Sequence, residues 1–463
     1  MITAKPSSAS PYTRVVAGVL FPLHELMKRH STVAVRRAME KSQWWPAARL
    51  RDLQMKRLRA LLIRAQTKVP YYRDLFQQIG FDPARDLKTV EDLARLPLLD
   101  KPTIRANSDR MRADDARGLA RFNTGGSSGE PLVFYIGKER VSHDVAAKWR
   151  ATRWWNVDIG DPEIVVWGSP IELGAQDSVR AARDKMLRTS LLPAFEMSEE
   201  KLDGFLDEIQ RRRPRMLFGY PSALSHIARH AKAKGRRMDD LGIRVAFVTS
   251  ERLYDEQRAQ ISGTFGCPVA NGYGGRDAGF IAHQCPSGSM HITAEDIIVE
   301  TIDSEGRPVP AGTAGEIVVT HLATGDYPFI RYRTGDVGVL GTKQCSCGRG
   351  LPVLQEIQGR STDFLVTQDG AVMHGLALVY ILRDLPEVKS FKIIQESVDH
   401  TRVQVVSDTP PDTALRATIE AGFKKRLGAG VQVDIEPVEA ILPEKSGKFR
   451  YVVSKVDATA ARP

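Results

Sequence analysis

The chain has 463 residues, which is too long for one compact core, so we expect a large domain and at least one smaller one. Its 42% hydrophobic and 26% charged residues are ordinary for a globular protein, and no apolar run approaches the ~20 residues of a membrane-spanning helix. The net charge of +10 fits either solvated basic helix faces or a phosphate-rich ligand, and without any nucleic-acid-binding signature we expect no nucleic-acid partner and no membrane partner.

The N-terminal part reads as helical. The apolar stretch from Val15 to Leu23 is short and lacks a small-residue cleavage site, which argues against a signal peptide and favours a cytoplasmic protein. Residues 33–80 carry leucines near a 3.6-residue period, which predicts a helix. We expect this helix to end at Val69, because the residue before a proline avoids the helical region.

From Phe122 onward, short apolar runs alternate with helical stretches. This alternation predicts an α/β fold in which helices flank a parallel sheet. The predicted strands are Ile164 to Trp167, Met216 to Gly219 and Val245 to Val248, and the helices are Glu199 to Arg213 and Ala223 to Lys234. From Glu316 the segments read as strands without long helices, and a small α+β domain (strand, helix, strand, strand, helix, strand) follows from about Phe364.

A Gly/Ser-rich loop follows Phe122 and Asn123. Glycine lets a backbone pass close to a ligand, and the loop's N–H and hydroxyl groups can donate to phosphate oxygens. No Gly-Lys-Ser/Thr follows, which excludes a Walker loop, and a loop of this kind taken alone is more often a connector. The candidate phosphate-binding residues are Thr124, Gly125, Gly126, Ser127, Ser128 and Gly129.

Five motifs in order carry a resemblance to a known family. They are TGGSSGEP from Thr124, YGGRDAG from Tyr273, RYRTGD from Arg331, GRSTDF from Gly359 and KSGKFR from Lys445. Together they resemble the acyl-adenylate-forming superfamily, and within it the phenylacetate–CoA ligase group with its relatives from capsular-polysaccharide loci. The resemblance implies a large N-terminal adenylation domain, 1–359, and a small mobile C-terminal domain, 360–463, that carries a catalytic lysine.

The resemblance also implies a nucleotide site. The loop from Thr124 to Gly129 is similar to the family's loop that closes on the ATP triphosphate, and Tyr273 with Gly274 matches the segment beside adenine. Asp336 matches the carboxylate that accepts hydrogen bonds from both ribose hydroxyls, a task that suits an acceptor-only group.

Two departures from the family pattern concern charge and metal binding. Asp277 stands where the family usually has a Mg²⁺-ligating glutamate, and magnesium accepts either carboxylate. Glu130 replaces a frequent lysine, so Arg276 is the candidate to supply charge to the triphosphate. A third departure follows the hinge, where Val372-Met373-His374-Gly375 does not have the arrangement of glycine and proline usual in the phenylacetate enzymes, which bears on CoA recognition.

Lys448 matches the lysine that bridges the acid's carboxylate and the α-phosphate, with Lys445 as a nearby competitor. A mobile ammonium there would offset the charge that grows on the transferring phosphoryl group. Asp363 or Arg360, in the hinge-like motif, would be the pivot about which the small domain rotates.

A second group of residues predicts a structural zinc site. Cys285, His291, Cys345 and Cys347 flank motifs that must converge in the fold, and three thiolates with one imidazole complete a tetrahedral set. His283 is a rival ligand. Isolated buried cysteines are the alternative interpretation.

The resemblance thus implies an AMP-forming carboxylate–CoA ligase that uses ATP, Mg²⁺ and a small carboxylic acid, preferably an aryl acid. The pocket residues Phe218 and Tyr220 could equally belong to the core. The alternatives are an adenylating enzyme whose acceptor is an amine, a carrier protein or a sugar, and a homologue that binds nucleotide without catalysis. The acid, the acceptor and the choice between monomer and homodimer stay open.

Overall fold

The computed structural model describes residues 10–123, 132–167, 178–194, 197, 199–360, 364–369, 372–442 and 450–456. Within these residues the helices, numbered in chain order, are α1 Pro11–Val15, α2 Phe21–Met27, α3 Thr32–Ser42, α4 Ala47–Lys68, α5 Pro70–Gln78, α6 Pro83–Asp86, α7 Lys101–Ala106, α8 Lys138–Arg153, α9 Ser178–Leu187, α10 Glu199–Arg212, α11 Pro221–Ala233, α12 Asp255–Phe265, α13 Leu376–Arg383 and α14 Thr413–Leu427. A π-helical turn, Val16–Leu20, joins α1 to α2, and a 3-10 helix spans Val90–Arg95.

The strands, in the same numbering style, are β1 Ala120–Asn123, β2 Val133–Ile136, β3 Glu163–Trp167, β4 Thr189–Pro193, β5 Met216–Gly219, β6 Val245–Thr249, β7 Val269–Gly275, β8 Gly279–Gln284, β9 Met290–Ile292, β10 Ile297–Ile302, β11 Ala314–His321, β12 Tyr332–Leu340, β13 Val353–Arg360, β14 Phe364–Val366, β15 Val372–His374, β16 Ser390–Ser397, β17 His400–Val406, β18 Gln432–Pro437 and β19 Val452–Ser454.

One mixed sheet of eleven strands organises the large domain, in the order β10-β11-β12-β13-β9-β8-β7-β6-β5-β3-β4. The strands from β4 to β7 in this order are parallel, as the alternating pattern predicts. The remaining neighbours are antiparallel, because short turns rather than helices connect several of these strands. The sheet is therefore mixed where the sequence predicted parallel sheets.

The two largest hydrophobic cores lie in the large domain. One joins α4, α5 and the middle of the sheet, and the other joins α10 and α11 to the parallel strands. A third, separate core of buried aliphatic residues and Phe391 and Phe423 holds the C-terminal region, where β18-β17-β16-β19 form a four-stranded sheet and β14 pairs with β15. None of the helices in the described residues is both long enough and apolar enough to cross a membrane.

Most predicted elements are confirmed. The three strands of the alternating region and the two helices between them lie within two residues of the predicted bounds. Val69 is extended and ends α4 as expected, but Pro70 starts α5, and a break around Pro46 separates α3 from α4. The residues 33–80 that were predicted to be helical thus form three helices. In the C-terminal region a β14–β15 hairpin precedes the first helix, and two strands follow the last one.

Candidate active site

The candidate active site lies at the carboxyl ends of the parallel strands. β3 ends at Trp167, β5 at Gly219 and β6 at Thr249, and Thr249 pairs with Gly272 of β7. In open α/β sheets ligands bind outside these strand ends. The residue after β6, Ser250, has a positive φ of 72° and turns the chain towards the same edge.

Tyr273 and Asp336 meet at this edge although they are far apart in sequence. The Tyr273 hydroxyl donates to Oδ2 of Asp336 over 2.9 Å. Burial, with the nearby Asp336 carboxylate, raises the pKa of Tyr273 well above its ordinary value, so the phenol stays protonated and remains a donor. The contact orients the Asp336 carboxylate and leaves it further acceptor positions for a ligand's hydroxyl groups.

A bulge in β12 aims the Asp336 side chain. The register between β11 and β12 shifts between Glu316 and Val318, and Gly335 has a φ of 75°, a left-handed conformation that glycine adopts without strain. The Thr334 hydroxyl donates to the Ile317 carbonyl over 2.8 Å and accepts from the Asp336 amide. The Gly-Asp pair is thus part of a strand bulge and not an ordinary loop turn.

Asp277 sits in the turn between β7 and β8, close to a second tyrosine. Its Oδ2 accepts a 2.6 Å hydrogen bond from the Tyr332 hydroxyl, and Oδ1 accepts one from the Ala278 amide. A carboxylate held by two donors keeps lone pairs on both oxygens, so the geometry is compatible with a Mg²⁺ ligand. Sequence reasoning did not assign Tyr332, although its place in the RYRTGD motif was a signal.

Arg276 lies beside the start of the predicted phosphate loop. Its Nη1 is 3.5 Å from the carbonyl oxygen of Asn123, the last described residue before the loop. Arg140, which sequence reasoning missed, donates to the Arg276 carbonyl over 2.8 Å and is almost fully buried on α8. No local sequence signal marked Arg140, because its role depends on where α8 packs.

The residues predicted for the nucleotide site and the hinge divide into three groups: those that meet at this edge, Arg360, and those outside the described residues. Tyr273, Gly274, Arg276, Asp277 and Asp336 come together at one edge, and a Cβ on Gly274 would collide with the carbonyl oxygen of Gly279. The backbone of Arg360 pairs with Asp336 across β12 and β13.

The third group lies outside the described residues. It comprises Thr124, Gly125, Gly126, Ser127, Ser128, Gly129, Asp363, Lys445 and Lys448.

The C-terminal region contacts the large domain next to this edge. The ring of Tyr451, three residues after Lys448, lies 5.8 Å edge-on from the ring of Tyr254, which follows β6. Val366 of β14 packs with Val337 of β12, the neighbour of Asp336. The described chain on the C-terminal side of the KSGKFR motif therefore lies near the strand ends of the large domain.

Aromatic rings line the strand ends on the other side. Trp167 stacks on Tyr220 at 4.3 Å and lies 5.8 Å from Phe218, which in turn stacks on Phe247. Phe218 and Tyr220 are both buried and belong to the two cores. Trp167, partly exposed, is the aromatic residue of this group that sequence reasoning did not single out.

Cys285, His291, Cys345 and Cys347 form one cluster, with all four ligand atoms within 4.8 Å of one another. The two halves meet because Val353 of β13 pairs with His291 of β9. The sulfurs of Cys285 and Cys345 are 3.7 Å apart, and the Cys347 sulfur is 3.2 Å from His291 Nε2. Sulfur ligands ~2.3 Å from a tetrahedral zinc ion lie about 3.8 Å from each other, so the residues fit this metal.

The second ring nitrogen of His291 is already engaged. Its Nδ1 lies 3.2 Å from the Leu351 carbonyl and donates to it, which directs Nε2 towards the cysteines. Burial lowers the pKa of His291 to about 4, which keeps the imidazole neutral, as a ligand must be. The rival ligand His283 is not in the cluster; it is buried between Phe247 and Phe280.

Comparisons with known proteins find two family profiles and several relatives. The family profile described as "AMP-binding enzyme" matches residues 190–324, and that of the "CapK C-terminal domain" matches residues 365–455. Protein CapK of Staphylococcus aureus is 24% identical over 379 residues, covering 80% of this chain and 81% of that protein. The phenylacetate–coenzyme A ligase of Thermus thermophilus is 26% identical over 415 residues, covering 85% and 87%.

Among solved structures, 2-hydroxyisobutyryl-CoA ligase has the same fold. In its postadenylation state with 2-HIB-AMP it superposes with a TM-score of 0.71, at 22% identity, over 91% of this chain and 93% of that one. In its thioesterification state with CoA the TM-score is 0.61. The motifs, the fold and these relatives agree in one respect: the chain is similar to the acyl-adenylate-forming superfamily, in the group that contains the phenylacetate–coenzyme A ligases and CapK.

Proposed function

We propose that this chain is an ATP-dependent, AMP-forming ligase that activates a small, preferably aryl, carboxylic acid and transfers the acyl group to CoA. The observation that carries the proposal is the convergence of Tyr273, Asp336 and Asp277 at one sheet edge. A phenol beside a hydrogen-bonded carboxylate suits an adenosine, and the second carboxylate suits a metal-bound phosphate.

The chemistry divides into two steps. In the first, a carboxylate oxygen of the acid attacks the α-phosphorus of ATP, and pyrophosphate leaves with the bridging oxygen. In the second, the thiolate of CoA attacks the acyl carbon, and AMP leaves. Asp336 would hold the ribose in both steps, and Arg276, beside the phosphate loop, would offset triphosphate charge in the first.

A lysine would act in the first step, and a hinge would move the C-terminal domain between the two steps. We assign the α-phosphate contact to Lys448 and the pivot to Asp363 or Arg360, with the domain boundary between 359 and 360. The packing of Tyr451 on Tyr254 supports this assignment, because it keeps the chain beside Lys448 near the strand ends. The separate core of the C-terminal region supports a domain that can rotate as a unit.

Two metals belong to the proposal. Asp277 would hold Mg²⁺, which neutralises phosphate charge when bound. The Cys285, His291, Cys345 and Cys347 cluster would hold a structural zinc ion that links β9 to the segment before β13. We place the protein in the cytoplasm, where ATP and CoA are available, and leave the homodimer as a prediction.

A second candidate keeps adenylation but changes the acceptor. The C-terminal region matches the profile named for CapK, and CapK is among the relatives that cover most of this chain. In this superfamily the C-terminal domain approaches the acceptor after adenylation, so a different C-terminal type favours an amine, carrier-protein or sugar acceptor as the alternative to CoA.

An AMP-release assay with a panel of aryl and short aliphatic acids tests the proposal. We expect AMP formation that requires ATP, one class of acid and added CoA. AMP release that is independent of CoA but stimulated by an amine or a sugar would support the second candidate. Absence of AMP formation with every acid and acceptor would contradict both.

A further inference from the structure

The N-terminal helical segment, residues 10–30, presents an exposed apolar stripe. Six large apolar side chains on it are exposed, including Leu26 at 71% and Met27 at 78% of their surface. The stripe consists of Tyr12, Val15, Val19, Leu23, Leu26 and Met27. Their spacing of three or four residues places them along one side of the helix.

The π-helical turn keeps this stripe straight. Val15, Val19 and Leu23 are each four residues apart, a spacing that drifts around an α-helix of 3.6 residues per turn. The wider turn at Val16–Leu20 counters the drift, so the three side chains stay on one side. Local wide turns of this kind are frequent at functional sites.

The opposite side of the segment is firmly attached to the body. Val16 packs over Gly160, where an added Cβ would lie 2.6 Å from the Val16 Cβ. The Thr13 hydroxyl donates to Asp161 over 2.9 Å. At the edge of the stripe, the Tyr12 hydroxyl also donates to the Met186 carbonyl. These contacts fix the segment to the body of the protein with its apolar stripe facing outward. The exposure of the stripe is therefore not the result of a loosely packed helix.

The exposed charges that the segment 10–30 itself carries have one sign. Arg14, Lys28 and Arg29 are exposed, whereas Glu25, the one acidic residue in the segment, is buried with His24, His30 and Thr32 around it. Beside Tyr12, the guanidinium of Arg188 lies 4.9 Å over its ring. Exposed apolar groups with cations and no exposed anion match the headgroup region of an anionic bilayer.

We propose that this stripe docks the protein on the surface of an anionic lipid bilayer, which differs from the sequence-based expectation of no membrane partner. Leu26 and Met27 enter the boundary between headgroups and acyl chains, while Lys28 and Arg29 contact lipid phosphates. A second copy of the chain fits the stripe less well, because it would bring like charges together with no exposed acid in the segment to pair with them.

Co-sedimentation of the full chain with large unilamellar vesicles tests this proposal. We expect binding to vesicles that contain phosphatidylglycerol, weaker binding to pure phosphatidylcholine, and loss of the difference at 1 M salt, where the Debye length is about 3 Å. Leu26→Glu with Met27→Glu should lower the bound fraction roughly tenfold or more by removing apolar insertion. Lys28→Glu with Arg29→Glu should abolish the preference for the anionic lipid.

Ile79→Glu is the matched control, because Ile79 is an exposed aliphatic residue at the end of α5, outside the stripe. This variant should bind vesicles like the original chain. Absence of binding to anionic vesicles, or an equal loss with Ile79→Glu, would overturn the proposal. So would a chain that does not bind vesicles and elutes as a dimer that the Leu26 and Met27 changes dissociate, since the stripe would then be a contact between copies.

Discussion

At the residue scale, the Asp336 carboxylate depends on its neighbour for orientation. Tyr273 donates to one of its oxygens, and the bulge amide fixes the backbone beneath it. A ligand with two adjacent hydroxyl groups would meet an acceptor that is already positioned, which reduces the entropy lost on binding.

Replacing Asp336 by Asn should therefore weaken catalysis strongly while sparing the fold. The amide retains the shape but loses the charge, and hydrogen bonds to charged groups contribute about 1.5–3 kcal/mol each. We expect kcat/KM for ATP to fall ~100-fold or more. Tyr273→Phe, which keeps the ring and removes the positioning hydroxyl, should cost about tenfold. Unchanged kinetics in Asp336→Asn would show that the Asp336 carboxylate does not bind the nucleotide.

His143, which has no role in the proposed reaction, leads to a prediction of how the stability of the folded state depends on pH. Burial alone would lower its pKa, but the 2.7 Å hydrogen bond to Asp296 and the charge of that carboxylate raise the pKa above the ordinary value. The folded state then binds this proton more tightly than the unfolded state. The resulting stability is fully present below pH ~6.5 and is lost as the pH rises through the raised pKa.

His143→Gln should flatten that loss, because the amide can still donate to Asp296 but does not titrate. Denaturant unfolding between pH 6 and 9 measures the difference in slope, which one proton limits to about 1.4 kcal/mol per pH unit. Identical slopes in the two proteins would show that His143 does not carry the effect.

At the element scale, glycine substitutions in and outside the β12 bulge distinguish an effect on stability from an effect on activity. Gly335 and Gly80 both have positive φ and no atom within 4 Å of an added Cβ, so each Gly→Ala change should cost about 1 kcal/mol from backbone strain alone. Gly335→Ala should in addition turn the Asp336 side chain away and lower kcat/KM for ATP. Gly80→Ala, the control at the end of α5, should leave kinetics unchanged. Equal kinetics in both variants would contradict the role given to the bulge.

The cysteine cluster makes a second prediction at this scale. Purified protein should contain about one equivalent of zinc, and Cys347→Ala should lose the metal and melt at a lower temperature. Cys267→Ala is the control, because Cys267 is buried outside the cluster, so its replacement loses packing without removing a metal ligand. Zinc below roughly a tenth of an equivalent in the original chain would end the zinc proposal.

Local sequence patterns predicted the helices and parallel strands well, but they did not predict the antiparallel half of the sheet. Short apolar runs located β3, β5 and β6, because buried parallel strands carry unbroken apolar residues. The antiparallel half of the sheet depends on short turns such as the one at Asp277, which carry little apolar signal. Arg140 and Trp167 became site residues only through tertiary packing, so periodicity alone did not reveal them.

At the scale of the whole molecule, the two domains would divide the reaction between them. Lys448→Ala should abolish adenylate formation while sparing thioester formation from a supplied acyl-adenylate, since the role we propose for the lysine is to contact the α-phosphate in the first step. Lys445→Ala is the matched control and should retain both half-reactions. Equal loss of both half-reactions in Lys448→Ala would contradict the role assigned to Lys448. Loss of adenylation in Lys445→Ala instead would assign that role to Lys445.

The central claim is that one nucleotide site at the strand ends joins an acid to AMP. Carboxylate-dependent exchange of labelled pyrophosphate into ATP measures that step directly and does not require the acceptor. We predict exchange with at least one class of acid in the original chain and its loss in Asp336→Asn. No exchange with any acid, in a folded protein that binds Mg²⁺ and ATP, would contradict the account.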